Sequence, residues 1–375
     1  GIKVKFQRVA PTSLTDSTYT DSTGYFSKVL ESGIYKINFS KPGFINLQLP
    51  DMPLYQNTVI ENQTLETIGL SGELSGQLVA GTYKVGADIF VPFNKTLVIE
   101  PGTILKFKND LSFMIYGTLK AEGTRGDSIK FTRYSSDINW RGIDFKENSS
   151  ASSLIKYCVI EYSNDRGICV YKCSPSISNS TIQYNTHYSD VLGMDEEDGG
   201  GAGLCLKFSS SRVDNVMVRY NSGITMGCGI FCSNGNPYIS NSIITNNVNP
   251  SAYYQQRPGG GIMSSYGAKL TIENSVICYN DNTKGGGIYL ASTYGGSLIA
   301  EAKVLNCIIY ENTSLGEYNS GAGAGIYNPN GTILSVFNSL LWNNHNDNFH
   351  CIDPWLGSNV TVNSTEVSCV AYGII

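Results

Sequence analysis

Few stretches of this 375-residue chain bring reactive side chains close together. The densest is the acidic run Asp195, Glu196, Glu197 and Asp198, inside a glycine-rich segment from Thr186 to Ala202. Carboxylates at that spacing, with backbone carbonyls beside them, could gather Ca²⁺, and no other cofactor is implied. They equally suit a solvated acidic turn. A second stretch carries Tyr253, Tyr254, Gln255 and Arg257, and a third carries Glu317 and Tyr318. Flat aromatic rings with amides and a guanidinium fit a sugar ring or another protein's surface, and they fit ordinary loop packing as well. His187, His345 and His350 lack metal spacing such as His-Glu-x-x-His and read as surface polar residues. No nucleophile elbow, phosphate loop or dinucleotide motif occurs, because the Gly-Gly-Gly runs precede strand-like segments and not helices.

Ten cysteines are too sparse for a disulfide scaffold. Cys169 and Cys173, like Cys228 and Cys232, are separated by about 13 Å if extended, too far to share one metal. Cys169 and Cys205 fall in equal register on consecutive repeats, where parallel side-chain vectors disfavour a disulfide. Cys351 and Cys369 could close a tail loop.

The elements that position these loops come from a repeat. Six times between Gly167 and Asn344 the chain writes glycine, an aliphatic, a short extended run, a polar turn, an asparagine, a small residue, an aliphatic and a second asparagine. The openings are Gly167, Gly203, Gly229, Gly261, Gly287 and Gly325. Each unit is too short to bury a core alone, so the units must stack. Ile, Val, Tyr, Phe and Thr fill the runs without helical periodicity, which predicts strands. By alternation, the residue after each glycine points inward and the next points outward. Phe231, Met263, Tyr289 and Tyr327 then form an aligned outward apolar stripe, a candidate binding face. The first asparagine of each unit, Asn179, Asn215, Asn241, Asn274, Asn306 and Asn338, keeps one register. Its amide can bond to its copy one coil away, at about 4.8 Å, as an internal structural ladder. Cys158 and Cys307 stand one place after that position, where other units carry Ser180, Ser242, Ser275 and Ser339, and read as small core fillers.

This grammar resembles the right-handed parallel β-helix of the pectate-lyase-like superfamily, specifically the glycine-rich, asparagine-ladder repeats of secreted bacterial surface proteins. The resemblance implies an all-β fold with a right-handed parallel β-helix solenoid over residues 70–375. In lyases and hydrolases of that superfamily the groove runs along the outward face of the strand opening each repeat. Here those positions are Asp144, Cys169, Cys205, Phe231, Met263, Tyr289 and Tyr327, then Lys146, Tyr171, Lys207, Ser233, Ser265, Ala291 and Pro329. A calcium-dependent lyase needs stacked carboxylates and a cationic base, and a hydrolase needs two carboxylates about 5 to 9 Å apart. Asp144 stands alone, so no catalytic residue is assigned and the reading leans away from an enzyme.

Residues 1–69 follow a different grammar. Thr20, Asp21, Gly24, Phe26, Gly33, Tyr35, Lys41, Gly43 and Phe44 resemble the prealbumin-like β-sandwich of carboxypeptidase regulatory-like domains, modules without catalytic residues. Members of that family begin with one more strand before the position of Ile2, and its loss would leave an edge open to another chain. Beyond Asn344 the repeat thins, leaving Leu356, Val360 and Val362 for one further coil and no amphipathic cap.

A net charge of −5 without a basic stripe argues against nucleic acid. No run approaches the roughly 20 apolar residues of a membrane span. A start at Gly1 without methionine reads as a processed or trimmed chain, with export implied by the resemblance. The expectation is an extracellular or cell-surface structural or adhesive protein. It would self-associate or bind other surface proteins, joining into filaments through its incomplete sandwich and uncapped β-helix end, or form one segment of a longer adhesin. The alternative is a carbohydrate-binding or polysaccharide-cleaving protein that uses the loop wall.

Overall fold

The computed structural model describes residues 1–41, 44, 46–65, 69–108, 110–188, 200–250, 258–291, 298–314, 323–328, 331–346, 360–363 and 366–368. All regular elements among them are strands. From Gly69 onward the chain winds as a right-handed parallel β-helix, each full coil adding one strand to each of three parallel sheets.

The first sheet carries the strands that open the repeats: Gly142–Phe145, Ile168–Tyr171, Leu204–Lys207, Ile230–Ser233, Ile262–Ser265, Ile288–Leu290 and Ile326–Tyr327. The second sheet has eleven strands, from Gly76–Leu78 to Val360–Asn363. The third runs through Cys158–Glu161, Thr181–Gln183, Met217–Arg219, Ile243–Thr245, Val276–Cys278, Ile308–Tyr310 and Leu340–Trp342. One or two inward residues per strand build the core, as alternation requires. Ile168, Leu204, Ile230, Ile262, Ile288 and Ile326 are all fully buried, and so are Ile182, Val218, Ile244, Ile277 and Ile309 from the third sheet. Burial of each such side chain is worth about 1.5–3 kcal/mol, and stacking lets three short strands share one continuous core.

The corner between the second and third sheets is a single left-handed residue. Asn179, Asn215, Asn241, Asn274, Asn306 and Asn338 hold φ between +47° and +52°, with Tyr157 at +50° in the preceding coil. Asparagine tolerates that conformation better than most side chains. The expected internal ladder is therefore not built on these residues: all but half-buried Asn179 are exposed. Asn215 does donate to Asn179 at 2.7 Å and Asn306 to Asn274 at 3.3 Å, but Asn241 turns to the Asp214 carboxylate at 2.7 Å.

The internal ladder belongs to the second asparagine of each unit. Asn185, Asn221, Asn247, Asn280, Asn312 and Asn344 are buried, and each of the first five donates its amide to the Oδ1 of the next at 2.9–3.0 Å. The same Oδ1 accepts the preceding asparagine's backbone N–H at 3.1 Å. The remaining amide hydrogen meets a carbonyl of the preceding coil, such as Val218 for Asn247 at 3.0 Å. A buried amide is stable only when so satisfied. The ladder also explains the opening glycine: a Cβ on Gly229 would lie 2.9 Å from Asn247 Nδ2 and 2.4 Å from the Gly261 carbonyl.

A smaller ladder stands beside the first asparagines. Ser180, Ser242, Ser275 and Ser339 donate to the carbonyl two residues back and accept a backbone N–H from the preceding coil. Cys158 and Cys307 are buried there, their thiols directed at the same local carbonyls, as expected of small core fillers.

The N-terminal segment is separate in sheet and core. Lys3–Ala10, Leu14–Tyr19, Gly33–Ser40, Leu47–Gln48 and Met52–Leu54 make one antiparallel sheet over Val4, Phe6, Tyr35, Ile37, Phe39 and Leu49. One sheet and not two is present among the described residues, so the sandwich remains a reading of the sequence.

Candidate functional site

The groove face of the first sheet is roofed over. Phe231 and Met263 point away from the solenoid core as alternation predicts, yet they are 1% and 0% exposed. They form a satellite cluster with Cys169, Cys205, Met226 and Ala291. Tyr289 and Tyr327 are half-buried and stack on each other at 4.9 Å with rings 1° from parallel. The expected exposed stripe is thus corrected to a covered one. The cause is the glycine run before each strand. Gly227, Gly259, Gly285 and Gly323 have positive φ, and a Cβ on Gly259 would fall 2.9 Å from Met263 Cβ. A Cβ on Gly285 would fall 2.7 Å from Tyr289 Cβ. Only main chain without side chains can lie that close to the column.

The groove column carries charge at its N-terminal end. Lys146 Nζ pairs with Asp144 at 2.7 Å. Asp165 and Arg166 lie just before the opening Gly167, and His187 follows the ladder residue Asn185. The Asp165 Oδ1 lies 3.1 Å from His187 Nδ1 and 3.0 Å from Arg166 Nη1. Arg166 Nη2 reaches His187 Nε2 at 3.2 Å, and its Nε donates to the Gly200 carbonyl at 3.4 Å. Since arginine only donates, His187 Nε2 accepts, and Nδ1–H faces Asp165. His187 is buried, in contrast to its expected surface position.

Burial raises the Asp165 carboxyl, but the His187 hydrogen bond and the charges of Arg166 and Arg141 outweigh it and bring it down to about 2. Desolvation lowers the Lys146 ammonium, and Asp144 overcomes that to leave it raised. Glycoside hydrolysis needs one carboxyl that stays protonated, and elimination needs a base able to take a proton. These groups are instead committed to one another. Chemically the network clamps the loops around Gly167 and Gly200 to the coil.

The third sheet presents an open face that the sequence reading passed over. Val159, Thr181, Met217, Ile243, Val276, Ile308 and Leu340 stand in unbroken register and point outward. All are half-buried or exposed, Ile243 at 38% and Ile308 at 42%. Beside them runs a chain of bonds from Arg219 to Gln183 at 2.9 Å and from Gln183 to Glu161 at 2.8 Å. The corner that follows is aromatic: Tyr162 stacks on Tyr184 at 5.4 Å and Tyr184 on Tyr220 at 5.2 Å, capped by Arg133 at 4.1 Å from the Tyr162 ring. The signal of this open face in the sequence is the residue two after each first asparagine, from Thr181 to Leu340, which is apolar in every unit but the first.

Residues 119–300 match the family model described as right handed beta helix region. That stretch is a right-handed β-helix. Over 65 residues, 17% of the chain, the sequence is 43% identical to Protein bark beetle of Drosophila melanogaster, and the match spans 2% of that protein's length. Similar solved structures include two mannuronan C-5 epimerase A-modules from Azotobacter vinelandii, AlgE6 and AlgE4. The first is 13% identical, covers 78% of this chain and 91% of its own, and has a TM-score of 0.28. The second is 14% identical, covers 80% and 90%, and has a TM-score of 0.25.

On this β-helix the remaining sequence candidates lie outside the described residues: Asp195, Glu196, Glu197 and Asp198, then Tyr253, Tyr254, Arg257 and Tyr318. Among the described residues no group of three or more His, Cys, Asp or Glu could hold a metal. No helix there is long and apolar enough to cross a membrane.

Proposed function

We propose that the chain is a structural or adhesive protein of the cell exterior, and that its β-helix associates with a second copy face to face through the third sheet. The observation that supports this is the register column from Val159 to Leu340, seven consecutive coils of outward, largely apolar side chains. Repeating sheet faces of equal period pack well on each other. Seven coils at about 4.8 Å, some four residues wide, allow a contact burying on the order of 1,000 Å² in total, the lower bound for a specific interface. An isologous contact would place Ile243, the middle member of the column, near the twofold axis. The groove supports catalysis less well, since its column is filled by the chain's own side chains and its charged end is paired internally. The carbohydrate reading rests on Asp195 to Asp198 and Tyr253 to Arg257, which lie outside the described residues.

The test is sedimentation equilibrium of the full chain beside the variant carrying Ile243→Lys and Ile308→Lys. Both positions are exposed, so the fold should survive the change. The wild type is expected to show reversible dimers that the double variant loses, with identical circular dichroism. A wild type that stays monomeric at high concentration overturns the proposal.

A further inference from the structure

Eight cysteines are buried and free among the described residues, and two of them face each other. Cys169 and Cys205 are direct register partners on adjacent parallel strands of the first sheet, both on the outward side. The two thiols and the Arg166 guanidinium act on one another electrostatically. Met226, buried in the same cluster, adds a thioether, and Phe231 closes the side toward the next coil.

We propose that Cys169 and Cys205 form a site for a soft monovalent cation of the Cu(I) class, held between two thiolates. Three observations combine. Parallel neighbours stand about 4.8 Å apart, close to two metal–sulfur bonds of about 2.3 Å laid end to end. A disulfide wants Cβ atoms roughly 3.8 Å apart, closer than parallel register partners come, so the pair suits a bridging ion better than an S–S bond. Asp144, the register partner of Cys169 on its other side, is held by Lys146, and among the described residues no group of three or more His, Cys, Asp or Glu could hold a metal, which withholds the tetrahedral set that zinc takes, whereas thiolate and thioether sulfur select Cu(I).

A monovalent ion with two thiolates carries one net negative charge, near the half-buried guanidinium of Arg166, which also pairs with Asp165. Binding releases two protons, one from each thiol, and transfers no electron.

The experiment is an anaerobic titration of the full chain with the acetonitrile complex of Cu(I), in competition with the chromophoric chelator bicinchoninate. Wild type is expected to take one Cu(I) from the chelator. Cys169→Ser and Cys205→Ser should each lose that ion, while Cys307→Ser, which installs the serine found at this place in neighbouring coils, should keep it. Circular dichroism confirms that each variant is folded, and peptide mapping of the wild type reads the pair independently of metal. No transfer to wild type, transfer undiminished in both folded site variants, or a Cys169–Cys205 disulfide in the mapped chain would each overturn the proposal.

Discussion

Asn247 shows how much one side chain can hold. Its Oδ1 accepts from the Asn221 backbone and side chain, and its Nδ2 reaches Val218 and Asn280. Asn247→Ala strands several buried polar groups and should cost on the order of 3 kcal/mol. Asn215→Ala touches an exposed corner and should cost only about 1 kcal/mol, for the left-handed backbone. Urea unfolding of the two variants checks the order, and equal losses would contradict the assignment of the ladder. Asp165 gives the pH counterpart. Its folded value of about 2 lies below the ordinary 3.8, so the unfolded chain takes up that proton first. The stabilisation is fully present above the ordinary value and is lost as pH falls toward about 2, an effect of about 2 kcal/mol. Asp165→Asn should therefore flatten the acid limb of the stability curve measured by urea unfolding between about pH 5 and about pH 2.

At the scale of the element, glycine and asparagine act as one unit although they sit on different sides of a coil. The opening glycine leaves the space that the ladder amide fills, and the glycines before it let main chain cover the groove column. Gly229→Ala forces its Cβ into the Gly261 carbonyl and should destabilise by more than about 2 kcal/mol. Gly86→Ala meets nothing within 4 Å and should be close to neutral. Thermal melts separate the two, and a tolerated Gly229→Ala would show that the coil can widen there.

For the whole molecule, the contrast between a roofed first sheet and an open third sheet decides which face is available. If copies associate through the third sheet, dimerisation adds stability by mass action, so the melting temperature should rise with protein concentration. The Ile243→Lys, Ile308→Lys variant should melt at a temperature independent of concentration. A wild-type melt that does not shift over a hundredfold dilution would argue against the face-to-face contact.

The sequence by itself determined the all-β solenoid, the inward column from Ile168 to Ile326 and the existence of an asparagine ladder, because strand alternation and repeat stacking are local rules that each unit states again. It did not reveal which asparagine is buried. Asn179 and Asn185 are both followed through the units in constant register, and only the closing of the coil places one at a left-handed corner and the other inside. It likewise placed Phe231 and Met263 on the outer side of their strand without showing what lies above them. His187 looked like a surface residue for the same reason: its partners Asp165 and Arg166 come from the preceding coil. Alternation fixes direction relative to one strand, whereas burial depends on chain that returns a full coil later, and only the tertiary structure brings that chain into place.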